Sequence, residues 1–123
     1  MDYDYQITGQ IIGCAIEVHR ALGPGLKEKV YEQALCQAFT RKNIGFTTER
    51  TLPVTFEGVK VGTYRPDLIV EDIVVVEIKS ADRIIPLFTS QLVTYLRITK
   101  LRVGLILNFN CARMSEGIKR VVL

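Results

Sequence analysis

Apolar residues recur at helical spacing in the first third of the chain. A stripe at intervals of three and four residues predicts a helix over residues 8–22, and it consists of Ile12, Ala15, Ile16, His19 and Leu22. The glycines and proline of residues 23–25 end this helix. A second helix is predicted over residues 26–42, with a buried face made of Leu26, Val30, Ala34, Leu35, Ala38 and Phe39.

The rest of the chain alternates in the pattern of β-strands, interrupted by one more helix. Strands are predicted over residues 46–56, 59–70, 74–79, 102–108 and 118–122. Pro53 indicates a sheet edge or a bulge in the first of these strands, and Glu57 and Gly58 form the turn after it. Pro86 fits the first turn of a third helix over residues 87–99. The order α-α-β-β-β-α-β-β predicts an α/β fold in which helices flank a mixed central sheet.

Residues 64–79 hold the most informative pattern, because charged residues lie inside strands that are otherwise apolar. Asp67, Glu77 and Lys79 are embedded in a run of Leu, Ile and Val, and such strands are usually buried on both faces. Burying these charges is costly unless something compensates them. A divalent metal ion could do so, because hard cations take carboxylate oxygens and the lysine can face a substrate phosphate. The alternative is a solvated Asp at a strand start and a Glu–Lys pair at a strand end.

The spacing of these three residues constrains the turn between the two strands. Side chains alternate along a strand, so Glu77 and Lys79 share a face, and Asp67 joins them only if it lies opposite Glu77. A two-residue turn would place Asp67 on the other face. We therefore predict a connection of three residues in which Val70 pairs with Val74, or a bulge with the same effect.

Composition and charge narrow the class of protein without identifying a function. The 123 residues are 48% hydrophobic and 24% charged, as in ordinary globular proteins, and this length predicts one domain over residues 1–123. No apolar run approaches the ~20 residues of a membrane span and the chain start lacks a signal-peptide pattern, so we expect a cytoplasmic protein without membrane partners. The net charge of +3 is compatible with nucleic-acid binding but is no evidence for it. The three cysteines are far apart and odd in number, which predicts reduced core residues.

Two helices offer further candidate site residues, each with a structural alternative. Glu28 and Tyr31 lie three apart on the second predicted helix, but Glu28 can also belong to a solvated charged face. Gln91 and Tyr95 lie one turn apart on the third helix, where they can also form a half-buried polar pair. His19 lies on the apolar face of the first helix, as either a core histidine or a metal ligand.

Four motifs combine these residues in one order along the chain. They are Gly25-x-x-Glu28-x-x-Tyr31, Arg65-Pro66-Asp67, Glu77-Ile78-Lys79 and Gln91-x-x-x-Tyr95. Each motif is weak alone, but together they resemble the GxxExxY protein family, a small branch of the PD-(D/E)XK nuclease superfamily. The resemblance covers residues 11–122, which is nearly the whole chain.

The resemblance implies a restriction-endonuclease-like αβββαβ core with a divalent-metal site. Asp67 and Glu77 would be the acidic metal ligands, with the Ile78 backbone carbonyl as a further ligand. Lys79 would position or activate the attacking water and stabilise charge on the scissile phosphate. Glu28 matches the acidic residue that reaches the metal or its water from the first core helix. The remaining two residues, Gln91 and Tyr95, would lie beside the active site.

These expectations favour a nuclease that uses Mg²⁺ or Mn²⁺ to hydrolyse phosphodiester bonds, with DNA as the expected partner. One metal ion is favoured over a pair because no second acidic cluster is evident in the sequence. Two other functions stay open. The same fold can serve as a non-catalytic module that binds nucleic acid or protein, or the metal can merely stabilise the two charged strands. A small nuclease domain of this kind can also work as a homodimer.

Overall fold

Residues 3–123 are the part of the chain that this computed structural model describes, and they contain three α-helices and seven β-strands. The helices are α1 (Tyr3–Leu22), α2 (Glu28–Arg41) and α3 (Pro86–Thr99). The strands are β1 (Phe46–Thr48), β2 (Leu52–Phe56), β3 (Val59–Tyr64), β4 (Leu68–Val70), β5 (Val74–Lys79), β6 (Val103–Asn108) and β7 (Ile118–Val122). A short 3-10 helix, Met114–Gly117, precedes β7. No helix in this range has the length and apolarity needed to cross a membrane.

Five of the strands form a mixed sheet in the order β1-β4-β5-β6-β7. Strands β5 and β6 are parallel and are joined through α3, whereas the other neighbouring pairs are antiparallel. A parallel pair needs a crossover connection of this kind, because a tight turn cannot return the chain to the same end of the sheet. The predicted α/β architecture with a restriction-endonuclease-like core is therefore confirmed.

Helices cover both faces of the sheet and divide the core into two clusters. One cluster joins α1 and α2 to the sheet through side chains such as Leu68, Val76 and Leu105. The other joins α3 to the opposite face, where Leu92 and Leu96 pack on Ile69, Val75 and Ile106. This arrangement explains why the central strands are apolar at successive positions, and the predicted two-sided burial of β4 and β5 is confirmed.

The connection between β4 and β5 has the predicted three residues. Val70 pairs with Val74, and the turn is closed by a hydrogen bond of 2.9 Å from the Ile73 N–H to the Val70 carbonyl. The turn needs two residues in the left-handed region, Glu71 at a φ of 55° and Asp72 at 54°. Asp and, less commonly, Glu accept such angles at a modest cost. The predicted register is therefore confirmed.

The prediction of two long strands over residues 46–56 and 59–70 was wrong. Each is broken, so that β2 and β3 leave the main sheet and pair only with each other as a two-stranded ribbon. Glu49 turns the chain with a φ of 48°, and Pro66 has no N–H with which to continue a sheet ladder. The bulge expected near Pro53 does occur, as a register shift between Val54 and Thr55.

The predicted helical stripes were wrong at their adjoining ends. Leu22, Leu26 and Val30 are 42%, 38% and 44% exposed. Residues 23–27, which include Leu26, form a loop, and α2 begins only at Glu28. The apolar residues that α1 and α2 bury fully or almost fully are Ile7, Ile11, Cys14, Ala15, Val18, Tyr31, Leu35, Ala38 and Phe39. The three cysteines are free thiols, one buried and two partly buried, as predicted.

Gly117, the last residue of the 3-10 helix, lies close to the backbone at the end of β6, and this contact can be tested. A methyl group on Gly117 would overlap the carbonyl oxygen of Asn108, which is backbone and cannot rotate away. We expect Gly117→Ala to lower the free energy of unfolding by about 3 kcal/mol, because overpacking a closed contact displaces the main chain. Urea denaturation measures this change.

The matched control is Gly62→Ala on the exposed ribbon, where a methyl group meets nothing within 4 Å. This control should change the free energy of unfolding by no more than about 0.5 kcal/mol. Equal stabilities of the two variants would contradict the close approach.

Candidate active site

Asp67 and Glu77 lie opposite each other just beyond the last pair of the β4–β5 ladder, which joins Leu68 to Val76. Each carboxylate accepts a hydrogen bond from the backbone of the other strand. Asp67 Oδ2 accepts from the Ile78 N–H at 2.8 Å, and Glu77 Oε2 accepts from the Asp67 N–H at 3.1 Å. The two side chains therefore close the gap that the end of the ladder would leave, and they are held side by side.

Burial makes this pair of carboxylates electrostatically costly. Glu77 is only 9% exposed, and burial, followed by the repulsion of Asp67, raises its pKa to about 7. The pKa of Asp67 is also raised, again mainly by burial, although the hydrogen bond from Ile78 opposes the shift. Lys79 attracts both carboxylates and lowers both pKa values, but less than burial raises them. The pair is therefore short of positive charge.

A tyrosine that the sequence analysis missed completes the environment of Glu77. The Tyr64 hydroxyl, at the end of β3, donates to Glu77 Oε1 at 3.1 Å. Its ring stacks on Tyr95 of α3, with centroids 4.0 Å apart and planes 16° from parallel. Burial and then Glu77 raise the pKa values of both hydroxyls, which keeps both of them neutral. Tyr95 thus contacts Tyr64, the residue whose hydroxyl donates to Glu77.

Lys79 shares a strand face with Glu77 but is directed at an aromatic ring. Its Nζ lies 4.5 Å from the centroid of Phe88, in the first turn of α3. This geometry is a cation–π contact. Within residues 3–123 Lys79 forms no ion pair with a carboxylate, so its ammonium is not neutralised by the acidic pair.

An open cleft of about 790 Å³ lies between the start of α2 and the ends of the central strands. It is lined by Asp67, Ile78, Glu28 and Ser80, together with two lysines, Lys27 and Lys29, and two further acids, Glu32 and Glu49. Glu28 reaches across the cleft, since its Oε2 accepts a hydrogen bond of 3.3 Å from the Ser80 N–H. The structure therefore brings Glu28 into the same cleft as Asp67. Glu77 and Lys79 do not line this cleft.

The contacts of Tyr31 give a structural reason for a tyrosine three residues after Glu28. Its hydroxyl donates to the Gly23 carbonyl at 2.6 Å and accepts from the Leu26 N–H at 3.0 Å. Its ring stacks on Phe109, with centroids 4.4 Å apart. These contacts fix the loop before α2 to the end of the sheet, and the helix then presents Glu28 at a defined place in the cleft.

Two more residues of the site were not identified from the sequence. Glu32, one turn after Glu28, is 4% exposed, pairs with Lys29 and raises the pKa of Asp67 more than Glu28 does. In the sequence Glu32 follows the charged residues 27–29, a pattern that is typical of a solvent-exposed helix face. Asn108 clamps the segment that follows β5, because its amide accepts from the Ala81 N–H and donates to the Ala81 carbonyl, both at 3.0 Å.

Gln91 and His19 do not join this network. Gln91 is partly buried one turn before Tyr95, and it makes no side-chain hydrogen bond to the described part of the chain. His19 is buried elsewhere, where its Nε2 contacts the Cys111 carbonyl at 2.8 Å. It lines a separate cavity of about 360 Å³ with residues of the 3-10 helix. The core-histidine interpretation of His19 therefore fits the structure better than a metal ligand at this site.

The donors of the site suit a hard cation held by few protein ligands. Residues 3–123 contain no group of three or more His, Cys, Asp or Glu side chains placed to hold a metal ion. The candidate donors are therefore the carboxylates of Asp67 and Glu77 and the carbonyl of Ile78. Mg²⁺ commonly keeps several waters and binds one or two carboxylates. The two carboxylates and the carbonyl, with their uncompensated negative charge, therefore fit this ion.

Comparison with protein families agrees with this geometry. The family model of the PD-(D/E)XK nuclease superfamily matches residues 5–121, and the chain therefore belongs to that superfamily. The pattern in the superfamily's name is present as Pro66-Asp67 and Glu77-Ile78-Lys79. Searches of curated proteins and of solved structures found no match.

The raised pKa of Glu77 predicts how the stability of the metal-free protein depends on pH. A carboxyl whose pKa is higher in the folded state stabilises the fold fully below its unfolded pKa, near 4.5, and loses that contribution as the pH rises through about 7. We expect the protein in EDTA to lose stability over this range. Glu77→Gln, which cannot ionise, should remove on the order of 2 kcal/mol of that loss.

Urea denaturation at several values between pH 4.5 and pH 8 measures this dependence. Glu57→Gln, on the exposed turn of the ribbon, serves as the control and should follow the wild type. If Glu77→Gln shows the same pH dependence as the wild type, the proton held by Glu77 is not the source of it.

Proposed function

We propose that this protein is a metal-dependent nuclease that hydrolyses phosphodiester bonds of DNA, with Mg²⁺ or Mn²⁺ as its cofactor. The observation that carries the proposal is the acidic pair of a buried Glu77 and a half-buried Asp67, which is hydrogen-bonded in place and short of positive charge. Folding a protein around such a pair is costly unless a cation binds there. Membership of a nuclease superfamily supports the same conclusion.

Each residue of the pair has a defined task in this proposal. Asp67 and Glu77 bind the ion through carboxylate oxygens, and the Ile78 carbonyl is a further ligand. Their hydrogen bonds to the opposite strand keep both carboxylates in position before the ion arrives. When bound, Mg²⁺ supplies a Lewis acid for the phosphate and a more acidic water.

Lys79 faces the substrate in this proposal. Its ammonium forms no ion pair with the acidic residues of the described chain. The Phe88 ring beneath it limits the directions in which the ammonium can point. It is therefore available to position the attacking water and to stabilise the charge that develops on the scissile phosphate.

The other predicted site residues surround this centre. Glu28 acts from across the cleft through a water rather than as a direct ligand, since no third carboxylate of the described chain joins Asp67 and Glu77 around one point. Tyr95 supports the wall of the site through its stack on Tyr64. Gln91 lies on the same helix one turn earlier.

A non-catalytic module that binds nucleic acid or protein is the alternative. The observation that favours it is the contact between Lys79 and Phe88, which holds the ammonium over a ring instead of beside the acidic pair. A binding module would use the same charges for recognition and would need no turnover.

Cleavage assays with matched variants test the proposal. We expect the wild type to cut DNA in Mg²⁺ or Mn²⁺ and not in EDTA, within a panel of plasmid, linear single- and double-stranded DNA, and RNA. Glu77→Ala and Lys79→Ala should each lower the cleavage rate by about a hundredfold or more, because each removes a charge used in the transition state. Lys79→Ala should still bind Mn²⁺ with nearly wild-type affinity, as measured by calorimetry.

Lys42→Ala is the control for the loss of a lysine. Lys42 caps the opposite end of α2 and pairs with Glu17, so this variant should cut at the wild-type rate. Metal-bound wild type that is folded but cuts no member of the panel would favour the binding module. Cutting that persists in Lys79→Ala would refute the role given to that residue.

A further inference from the structure

Glu77 is held by two donors, and they come from different parts of the fold. The Asp67 N–H is part of the β4–β5 pair and is fixed by the sheet. The Tyr64 hydroxyl reaches Glu77 Oε1 from the end of the ribbon. The last torsion of a glutamate is broad, so one donor leaves the carboxylate plane free to turn, whereas two donors, one at each oxygen, fix it.

The position of Tyr64 depends on α3. Strands β2 and β3 pair only with each other, and a two-stranded ribbon in water is marginally stable by itself. The end of β3 contacts α3 through the stack of Tyr64 on Tyr95, beside Leu52 of β2, which packs against the α3 side of the core. The Tyr95 hydroxyl makes no hydrogen bond within the described residues, so its ring is the part that matters.

We propose that Tyr64 and Tyr95 act as a relay that sets the orientation of Glu77. Tyr95 holds the ring of Tyr64 by stacking, and Tyr64 in turn holds Glu77 Oε1 through its hydroxyl. Both tyrosines are positioning residues, and neither touches the substrate. The value of this orientation for metal binding rests on the proposed function, but the relay itself is a property of the chain.

Metal affinity is the first measurement of the relay. Calorimetric titration with Mn²⁺ should show a loss of about tenfold or more in Tyr64→Phe, because the hydrogen-bond partners of metal ligands commonly contribute this much. Tyr95→Leu, which removes the stacked ring, should lose affinity to the same extent. The double variant should lose no more than Tyr64→Phe alone, since both changes interrupt one path.

Tyr95→Phe is the matched control, because it keeps the ring and removes only the hydroxyl. It should bind Mn²⁺ within about twofold of the wild type, where tenfold is the change expected for a lost partner. Wild-type affinity in Tyr64→Phe would overturn the relay. A loss in Tyr95→Leu that adds in full to that of Tyr64→Phe would also overturn it, because the two residues would then act independently.

A second measurement needs no metal and separates this proposal from the proposed function. In EDTA, Tyr64→Phe should lower the urea midpoint when it is made in the wild type. The same change should lower the midpoint much less when Glu77→Leu or Tyr95→Leu is already present. Equal shifts in all three backgrounds would overturn the relay whatever the metal result. If Mn²⁺ binds wild type and Glu77→Leu equally weakly, the metal site is refuted, and the midpoint shifts alone then decide the relay.

Discussion

The two hydrogen bonds that tie Asp67 to Glu77 and Ile78 are the interaction on which the rest of the site depends. Each side chain accepts a hydrogen bond from a backbone N–H of the facing strand, so the two carboxylates also finish a sheet ladder that would otherwise end with unpaired groups. The carboxylate oxygens that complete the backbone pairing are therefore the same atoms that carry the uncompensated negative charge. A substitution at either position disturbs both the backbone pairing and the charge of the site.

The sequence was sufficient to predict this part of the fold for a definite reason. Side chains in a strand alternate with a period of two, so placing three charged residues on one face required an odd connection or a bulge with the same effect, and Val70 does pair with Val74. The long apolar runs likewise indicated two-sided burial. Here one local rule decides the geometry, and no distant element can change the outcome.

Other features depended on partners that are far away in the chain. Alternation over residues 46–56 fits a strand in the main sheet as well as one in a separate ribbon, and only the pairing distinguishes them. The exposure of Leu22 and Val30 follows from where α1 and α2 meet the sheet, which their spacing does not specify. Tyr64 was missed because its role requires Tyr95, thirty-one positions later, to lie on its ring.

The ribbon of β2 and β3 has a consequence for how this fold can vary. It leaves the sheet after β1 and returns at β4, and those two strands pair directly, from Phe46 with Val70 to Thr48 with Leu68. Residues added in pairs at the turn of Glu57 and Gly58 would lengthen the ribbon by about 3.4 Å for each pair, yet leave its base and Tyr64 in place. The length of the ribbon can therefore change during evolution or engineering, while the residues around Glu77 keep one arrangement.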